Sequence, residues 1–288
     1  MIDPSRTRAL VAALAWITIA GSAAAQNKPG SAALTALMDD YLTKMLAHRT
    51  SEIKLAPDAL LFLNTHPSRM EENPLARVRA IKSRQIFCDS ETGNVIARTG
   101  VELEDGKIAY ASTRLRVADR TITEVETSFD NSANVVPSYV TFLDPLMTTV
   151  VPPTERMSRG GLKAVVERYF QALTDHKASA SDFDDRCDRY HSGQRITNNP
   201  RFTVEGGSVV TCFTALGGSP PWGPATGIRI PLVDPEHGIV AGYTVLLYQD
   251  GTAPMYVSEI FKILEGKIRM IDNIGLKAEG VQAMNIPQ

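Results

Sequence analysis

The densest group of side chains that could do chemistry runs from Asp182 to His191. Its ten residues include four aspartates, one of them Asp185, and end in the histidine. A carboxylate and an imidazole in an apolar pocket can exchange protons with a substrate, because burial raises the pKa of the carboxylate and lowers that of the imidazole. The pattern therefore indicates Asp185 and His191 as a catalytic acid–base pair. A solvated acidic turn is the alternative, because charged clusters usually lie at the surface.

Four other side chains in the second half could bind a ligand, and they have structural alternatives. They are Arg229, Tyr243 and Glu259 on predicted strands, and Trp222 in a loop rich in Pro and Gly. Arg229 could bind a carboxylate or an enolate oxygen, or it could form a surface salt bridge. Trp222 could close over an apolar ligand or cap the core. Side chains alternate along a strand, so Tyr243 faces one side of its sheet, but the pattern does not say which side lines a pocket.

The residues predict neither a metal nor a cofactor. Asp234, Glu236 and His237 could bind a metal, but Asp89 and Glu91 repeat the first two at the same spacing. A repeated turn whose side chains bond backbone amides explains this recurrence better. The sequence also lacks HExxH, P-loop and Gly-x-Ser-x-Gly motifs, which argues against classical zinc peptidases, nucleotide-binding enzymes and serine hydrolases.

The first 25 residues have the three parts of a secretory signal peptide. Arg6 and Arg8 supply positive charge, residues 10–20 are apolar, and small residues precede an expected cut after Ala25. The apolar run is shorter than the roughly 20 residues that cross a bilayer. The pattern predicts a periplasmic or secreted protein that begins at Gln26.

The charge distribution argues against a nucleic-acid partner. The formal net charge is −2 and no long run of like charge occurs, whereas phosphate binding needs a clustered basic surface. After the signal peptide, no apolar run is long enough to span a membrane. The expected partner is a small hydrophobic or aromatic molecule, and the sequence leaves self-association into a homo-oligomer open.

Three cysteines allow at most one internal disulfide. The exported compartment permits such a bond. Cys187 and Cys212 are the expected pair, because both lie in the second half and enclose a short loop. Cys88 would then remain a free thiol.

An internal repeat organises the chain. Residues 89–95 and 234–240 share Asp, Glu, Gly and Val at identical spacing. Each half also begins with a helical pattern, in which Tyr41 corresponds to Tyr169 at positions typical of a buried core. A strand-rich region with tight turns follows each helix. This order indicates an α+β fold of two like units, each with helices packed on a curved antiparallel sheet.

The repeat also divides the chain. The predicted parts are a signal peptide (1–25), a first unit (26–129), a connector containing prolines (130–158) and a second unit (159–288). Apolar residues between the prolines should hold the connector against both units. A long loop at about 197–226 is rich in Asn, Gly and Pro, which is typical of a lid or a binding loop.

Several sequence segments resemble those of a known fold family. Helices that precede a meander with the turn Asp-x-Glu-x-Gly-x-Val, and a last strand after LEGKIRMID, look like the nuclear-transport-factor-2-like, or SnoaL-like, fold. The resemblance implies two cone-shaped units, each with an apolar pocket. The second half also resembles a secreted fungal and bacterial family of unknown function through SRGGLKAVVERYFQAL, RITNNP, RIPLVDPEHGIVAGYTVL and EIFKILEGKIRMID.

Proteins of that fold include isomerases, dehydratases, cyclases, hydrolases and non-catalytic binders, so the fold alone does not choose a function. Our leading hypothesis is a cofactor-independent lyase, isomerase or hydratase with acid–base residues in its pocket. The alternative is a non-catalytic binder of a small hydrophobic or aromatic molecule. A third option is an interaction module whose own side chains fill the pocket. Paired titratable groups inside a cone would favour the enzyme.

Overall fold

The computed structural model describes residues 28–175, 177–217, 222–248 and 255–277. The predicted signal peptide lies outside the described residues, and so does the Asp250-Gly251 dipeptide, where the sequence predicts one of the tight turns of the second unit. No helix in the described ranges is long and apolar enough to cross a membrane.

The first unit is a helix on a six-stranded sheet. It contains α1 (Ser31–Leu46), β1 (Leu55–Leu63), β2 (His66–Pro67), β3 (Val78–Asp89), β4 (Asn94–Leu103), β5 (Ile108–Ala118) and β6 (Thr121–Asp130). The strand order is β2-β1-β6-β5-β4-β3. Short 3₁₀ turns occur at Thr50–Glu52, Met70–Glu72 and Pro74–Arg77.

The connector carries a short helix, α2 (Pro137–Val140), and a 3₁₀ turn at Pro145–Thr148. Its anchors Val135, Val140, Leu143, Met147 and Val151 are buried.

The second unit repeats the first. It contains α3 (Arg159–Asp175), a 3₁₀ turn at Ala180–Asp182, β7 (Phe183–His191), β8 (Gln194–Arg195), α4 (Cys212–Gly217), β9 (Trp222–Asp234), β10 (Ile239–Tyr248), β11 (Met255–Leu264) and β12 (Lys267–Lys277). Its strand order, β8-β7-β12-β11-β10-β9, is that of the first unit. The predicted α+β fold of two helix-on-sheet units is therefore confirmed.

One part of each sheet differs from the predicted antiparallel meander. β1 pairs with β6, and β7 with β12, in parallel. After the helix, the chain enters the sheet at the end where the last strand also begins, so the two strands run in the same direction. The stretch after each helix therefore becomes part of the sheet.

Each helix buries one face against its own sheet. α1 buries Leu34, Met38, Tyr41, Leu42 and Met45, and α3 buries Leu162, Val165, Val166, Tyr169 and Phe170 with two residues of its last turns. Residues three and four apart share one side of a helix, which is why this spacing predicts the buried face. The concave side of each sheet and its helix thus enclose one cone.

The repeated turn motif has a steric cause. A Cβ atom on Gly93 would lie 2.3 Å from the carbonyl oxygen of Val117, and one on Gly238 would lie 2.3 Å from that of Ile263. Asp89 Oδ1 accepts from two backbone amides of its turn, and Asp234 Oδ1 does the same in the second unit. These aspartates shape turns, as the repetition of the motif predicts.

The outer faces of the two sheets pack on each other around a pseudo-twofold axis. The apolar part of this contact includes Phe87, Ile96, Ile239, Ala241, Tyr256 and Ile260. Ser112 and its repeat equivalent Ser258 face each other, with 3.5 Å between their hydroxyl oxygens. Contact between equivalent residues is the property of an isologous interface, here built within one chain.

Polar pairs follow the same symmetry. The hydroxyl of Tyr110 donates to the carboxylate of Asp272. Tyr256, the repeat equivalent of Tyr110, donates to Glu126 Oε1 at 3.1 Å, and Glu126 is the equivalent of Asp272. The chain therefore folds as an internal dimer of two like units.

Candidate functional site

A row of polar side chains crosses the inner face of the second sheet. Gly242 is paired with Glu259, Glu259 with Asn273, and Asn273 with His191, on four adjacent strands. Residues directly opposite each other in a sheet lie on the same face, with Cβ atoms about 5 Å apart. Glu259, Asn273 and His191 therefore stand side by side inside the second cone.

Glu259 is the centre of this row. Its side chain is completely buried, and Oε1 accepts hydrogen bonds from the Tyr169 hydroxyl at 3.2 Å and from Arg189 Nη2 at 3.3 Å. Oε2 has no hydrogen-bond partner among the described residues. Burial raises the pKa of Glu259 above its usual value, although Arg189 and Tyr169 oppose this rise. The site thus contains a buried carboxyl group that is bonded through only one of its two oxygens among the described residues.

His191 is held as a neutral imidazole. Asn273 Nδ2 donates to His191 Nδ1 at 3.1 Å, so Nδ1 accepts and the ring proton lies on Nε2. Burial, reinforced by the charge of Arg189, lowers the pKa of His191 to about 4. Gly275 makes room for the ring, because a Cβ atom there would lie 2.6 Å from His191 Cε1. The imidazole is therefore a hydrogen-bond donor through Nε2 at neutral pH.

β7 positions Arg189 and His191. The two-residue period of a strand places Cys187, Arg189 and His191 on one face. The backbone amide of Arg189 donates to Thr197 Oγ1 at 2.8 Å. Cys187 is joined to Cys212 by a disulfide, which ties β7 to α4. Cys88 is a buried free thiol in the first unit.

The first cone has no titratable group in the equivalent row. Its row is Ala97, Thr113, Thr127 and Leu63, paired across the same four strands. Asn73 Nδ2 bonds Thr127 Oγ1 at 2.9 Å and the Tyr41 hydroxyl at 3.3 Å. In this row of the first cone, Thr127 is bonded by Asn73, whereas the row of the second cone contains a carboxyl and an imidazole.

The predicted pair of Asp185 and His191 is not formed. Asp185 is exposed and lies six residues before His191 on the same strand. The pairing of β7 with β12 is irregular between Phe183 and Asp188, and this bulge carries Asp185 out of the inner face. The carboxyl group in the same row as His191 is that of Glu259.

The structure separates the predicted ligand-binding residues. Glu259 lies inside the second cone, but Arg229 and Tyr243 lie on the outer face. Arg229 Nη2 bonds Glu126 Oε1 at 2.5 Å, and its guanidinium carbon lies 5.4 Å from the centre of the Tyr243 ring. Burial would raise the pKa of Glu126, but Arg229 and Arg114 lower it to about 2. Trp222 begins β9, and its side chain lies outside what the structure describes.

Three residues of the site were missed as functional candidates: Tyr169, Arg189 and Asn273. Tyr169 looked like a core residue, and it is buried, but its hydroxyl also holds Glu259. The internal repeat carried a usable signal, because Thr113 and Thr127 of the first unit become Glu259 and Asn273 in the second. The aligned inner positions therefore change from hydroxyl side chains in the first unit to a carboxyl and an amide in the second.

The second half matches a family model. Residues 155–275 match the family described as Domain of unknown function (DUF8021). This match covers the whole polar row of the second cone but fewer than half of the residues in the chain. No curated protein matches the sequence.

The solved structures below each cover less than half of this chain. A nuclear-transport-factor-2-like protein of unknown function from Burkholderia xenovorans LB400 is 17% identical, covers 44% of this chain and 97% of its own, and has a TM-score of 0.30. A protein from Kribbella flavida DSM 17836, provisionally assigned as a ketosteroid isomerase, is 12% identical, with coverages of 44% and 87% and a TM-score of 0.32. A protein from Sphaerobacter thermophilus is 14% identical, with coverages of 40% and 94% and a TM-score of 0.30.

Proposed function

We propose that the second cone binds a small molecule and transfers a proton on it without a cofactor, as a lyase, isomerase or hydratase. The observation that carries this proposal is the carboxyl of Glu259, which is fully buried and has one oxygen without a protein partner in the described ranges. Buried polar atoms are nearly always satisfied, so such an oxygen indicates a position for a ligand or water.

The chemistry follows from the protonation states. The ionised Glu259 removes a proton from carbon next to a carbonyl group, so a C–H bond breaks and an O–H bond forms on Oε2. The carbonyl oxygen gains negative charge, and the Nε2–H of His191 donates a hydrogen bond to it. Glu259 then returns the proton to a neighbouring atom, or a leaving group departs. A carboxyl with a raised pKa suits both halves of this exchange near neutral pH.

The surroundings select an apolar ligand. The rings of Tyr169, Phe170 and Phe261 form an edge-to-face cluster with centroids 4.9 to 5.9 Å apart. A substrate with an aromatic or alicyclic body would complete such packing, while its polar group meets the row of Glu259, Asn273 and His191.

A non-catalytic binder is the second candidate, and one observation favours it. Both Glu259 Oε2 and Asn273 Oδ1 lack partners among the described residues. Two buried acceptors side by side would bind a ligand hydroxyl or amine without any chemistry.

The test compares ligand binding with proton exchange. A panel of small aromatic and alicyclic ketones would be screened by thermal shift, and exchange of their α-protons in D₂O followed by NMR. Glu259→Gln should keep ligand binding but slow exchange by about 100-fold or more, and Thr113→Val, at the equivalent position of the first cone, should change neither. If Glu259→Gln exchanges α-protons as fast as the unmodified protein does, the catalytic role of Glu259 is refuted. If the unmodified protein binds a ligand without exchanging its α-protons, the non-catalytic binder is favoured.

We further propose that the protein is exported, on the strength of the signal pattern in its first 25 residues. Expressed with its leader in a Gram-negative host, it should appear in the periplasm with Gln26 as its first residue. N-terminal sequencing that finds Met1 on a membrane-bound product would contradict export.

A further inference from the structure

The pseudo-twofold axis generates two equivalent grooves between the units, and among the described residues the connector lines one of them and not the other. The open groove is a cavity of about 440 Å³ between β4–β6 of the first unit and α3 and β9 of the second. Its counterpart lies between α1 and β3 and is walled in part by connector residues Phe142, Leu143 and Pro145. Lys163 in the open groove corresponds by the repeat to Thr35, and Arg229 corresponds to Arg84.

The connector is held in its groove by side chains on both units. Ser83 donates to the carbonyl of Val140, Gln85 Nε2 donates to the carbonyl of Asp144, and Lys262 Nζ donates to the carbonyl of Thr149. The chain has one connector, so only one groove receives it.

The equivalent positions of the open groove are differently built. Ile228 and Ile230 replace Ser83 and Gln85, and Arg116 replaces Lys262. Ile228 is 37% exposed, and Pro231 continues this apolar wall. An exposed apolar wall in a groove of this volume is the usual property of a small-molecule site.

The charged lining comes from both units: Arg114, Arg116 and Glu124 from the first, and Lys163 and Glu167 of α3 beside the apolar wall. Arg114 is buried and its guanidinium is already paired. Its Nη2 donates to Glu124 Oε2 at 2.6 Å, and its Nε donates to Glu126 Oε2 at 3.0 Å. Arg116 remains 43% exposed and uses Nη1 to bond Glu124, which leaves a guanidinium edge toward the groove. Lys163 has only a weak surface pair, with 3.7 Å to Glu167.

We propose that this open groove binds a small amphipathic carboxylate. The carboxylate pairs with Arg116 and Lys163, and its apolar body lies on Ile228, Ile230 and Pro231. Arginine binds a carboxylate through two parallel hydrogen bonds, so the anion is oriented as well as attracted. This site is separate from the second cone and does not depend on Glu259.

The experiment titrates the mature protein with octanoate, octanol and acetate, and measures affinity by calorimetry. Octanoate should bind at least about tenfold more tightly than octanol, which lacks the charge, and than acetate, which lacks the apolar chain. Arg116→Gln and Ile228→Ser should each weaken octanoate binding about tenfold or more. Arg84→Gln in the counterpart groove is the matched control and should leave it unchanged.

Glu259→Gln distinguishes octanoate bound in the groove from octanoate bound in the second cone. If the groove is the site, this variant should bind octanoate as tightly as the unmodified protein does. The proposal is overturned if Arg116→Gln and Ile228→Ser bind octanoate as the unmodified protein does, if octanol binds as tightly, or if no octanoate binds. Loss of affinity in Glu259→Gln together with no effect of Arg116→Gln would assign the ligand to the cone instead.

Discussion

Thr113 and Glu259 occupy the same position in the two sheets of this internal dimer. Thr113 is paired with Thr127, and Glu259 with Asn273. The two units therefore keep one backbone plan and differ in what projects into the cone. Where the first unit presents hydroxyl groups, the second presents a carboxyl whose pKa is raised by burial.

The pH dependence of proton transfer should report this carboxyl. Glu259 accepts a proton only when ionised, so activity should fall as the pH drops through a pKa above the usual value of 4.5. Tyr169→Phe removes a hydrogen bond that stabilises the carboxylate, so the acid limb should move to higher pH by about half to one unit. An acid limb that stays in place in Tyr169→Phe would separate Glu259 from the observed activity.

His191 should make the protein unstable toward mild acid. Its pKa is lowered from 6.5 to about 4, so the folded state binds the proton less readily than the unfolded chain. The contribution of the neutral ring to the free energy of unfolding is therefore fully present above pH 6.5, and it is lost as the pH falls toward 4. The loss can reach about 3 kcal/mol.

Urea unfolding at several pH values checks this window. The raised pKa values of Glu259 and Asp272 act in the opposite direction in this window, so the comparison is between variants: unfolding free energy should fall less, or rise more, between pH 6.5 and 4 in His191→Gln than in the unmodified protein. His66→Gln, at an exposed position of the first unit, is the control and should keep the pH dependence of the unmodified protein. The lowered pKa of Glu126, about 2, acts in a separate window below pH 4.5 and should persist in both variants. An unchanged slope in His191→Gln would contradict the assignment.

Much of the fold is readable from the sequence, because its causes are local. The spacing of Tyr41 and Tyr169 with their apolar neighbours marks the buried helix faces, and the repeated turns at Gly93 and Gly238 locate the hairpins. The sequence does not predict the parallel pairing of β1 and β7, because their partners lie 64 to 67 and 82 to 85 residues away along the chain. Strand direction also depends on the path of the helix.

The site was harder to predict, because it depends on which face each strand turns inward. Asp185 and His191 share one parity along the chain, but a bulge removes Asp185 from the inner face. Arg229 looks like a ligand-binding or surface arginine in the sequence. In the structure, the outer faces of both sheets are buried against each other, so Arg229 pairs with Glu126 from the other half.

The disulfide should contribute about 3 kcal/mol to the free energy of unfolding, since Cys187 and Cys212 are 25 residues apart and a loop of this length restricts the unfolded chain by that amount. Cys187→Ser together with Cys212→Ser should lower the unfolding free energy accordingly. Cys88→Ser is the matched control, because this buried thiol bonds only weakly with Thr35 and Ser31. Peptide mapping that recovers Cys88 in a disulfide would contradict the pairing.

The charge pair at the contact between the units should be essential for their joint folding. Arg98 is completely buried and donates to the backbone carbonyls of Ser258 at 2.7 Å and Asp272 at 3.1 Å. Its Nε lies 3.8 Å from Asp272 Oδ2. Burial raises the pKa of Asp272, and Arg98 opposes this rise. Arg98→Met would therefore leave a buried carboxylate without its counter-charge, at a cost of about 3 to 5 kcal/mol.

Urea unfolding at pH 7 and pH 5 tests this relationship. Arg98→Met should be strongly destabilised at pH 7 and should recover part of the loss at pH 5, because protonation removes the unpaired charge of Asp272. Arg98→Met combined with Asp272→Asn should be more stable at pH 7 than Arg98→Met alone. Arg84→Met, at a half-exposed pair with Asp39, is the control and should cost under about 1 kcal/mol. An Arg98→Met protein as stable as this control would show that apolar packing alone joins the two units.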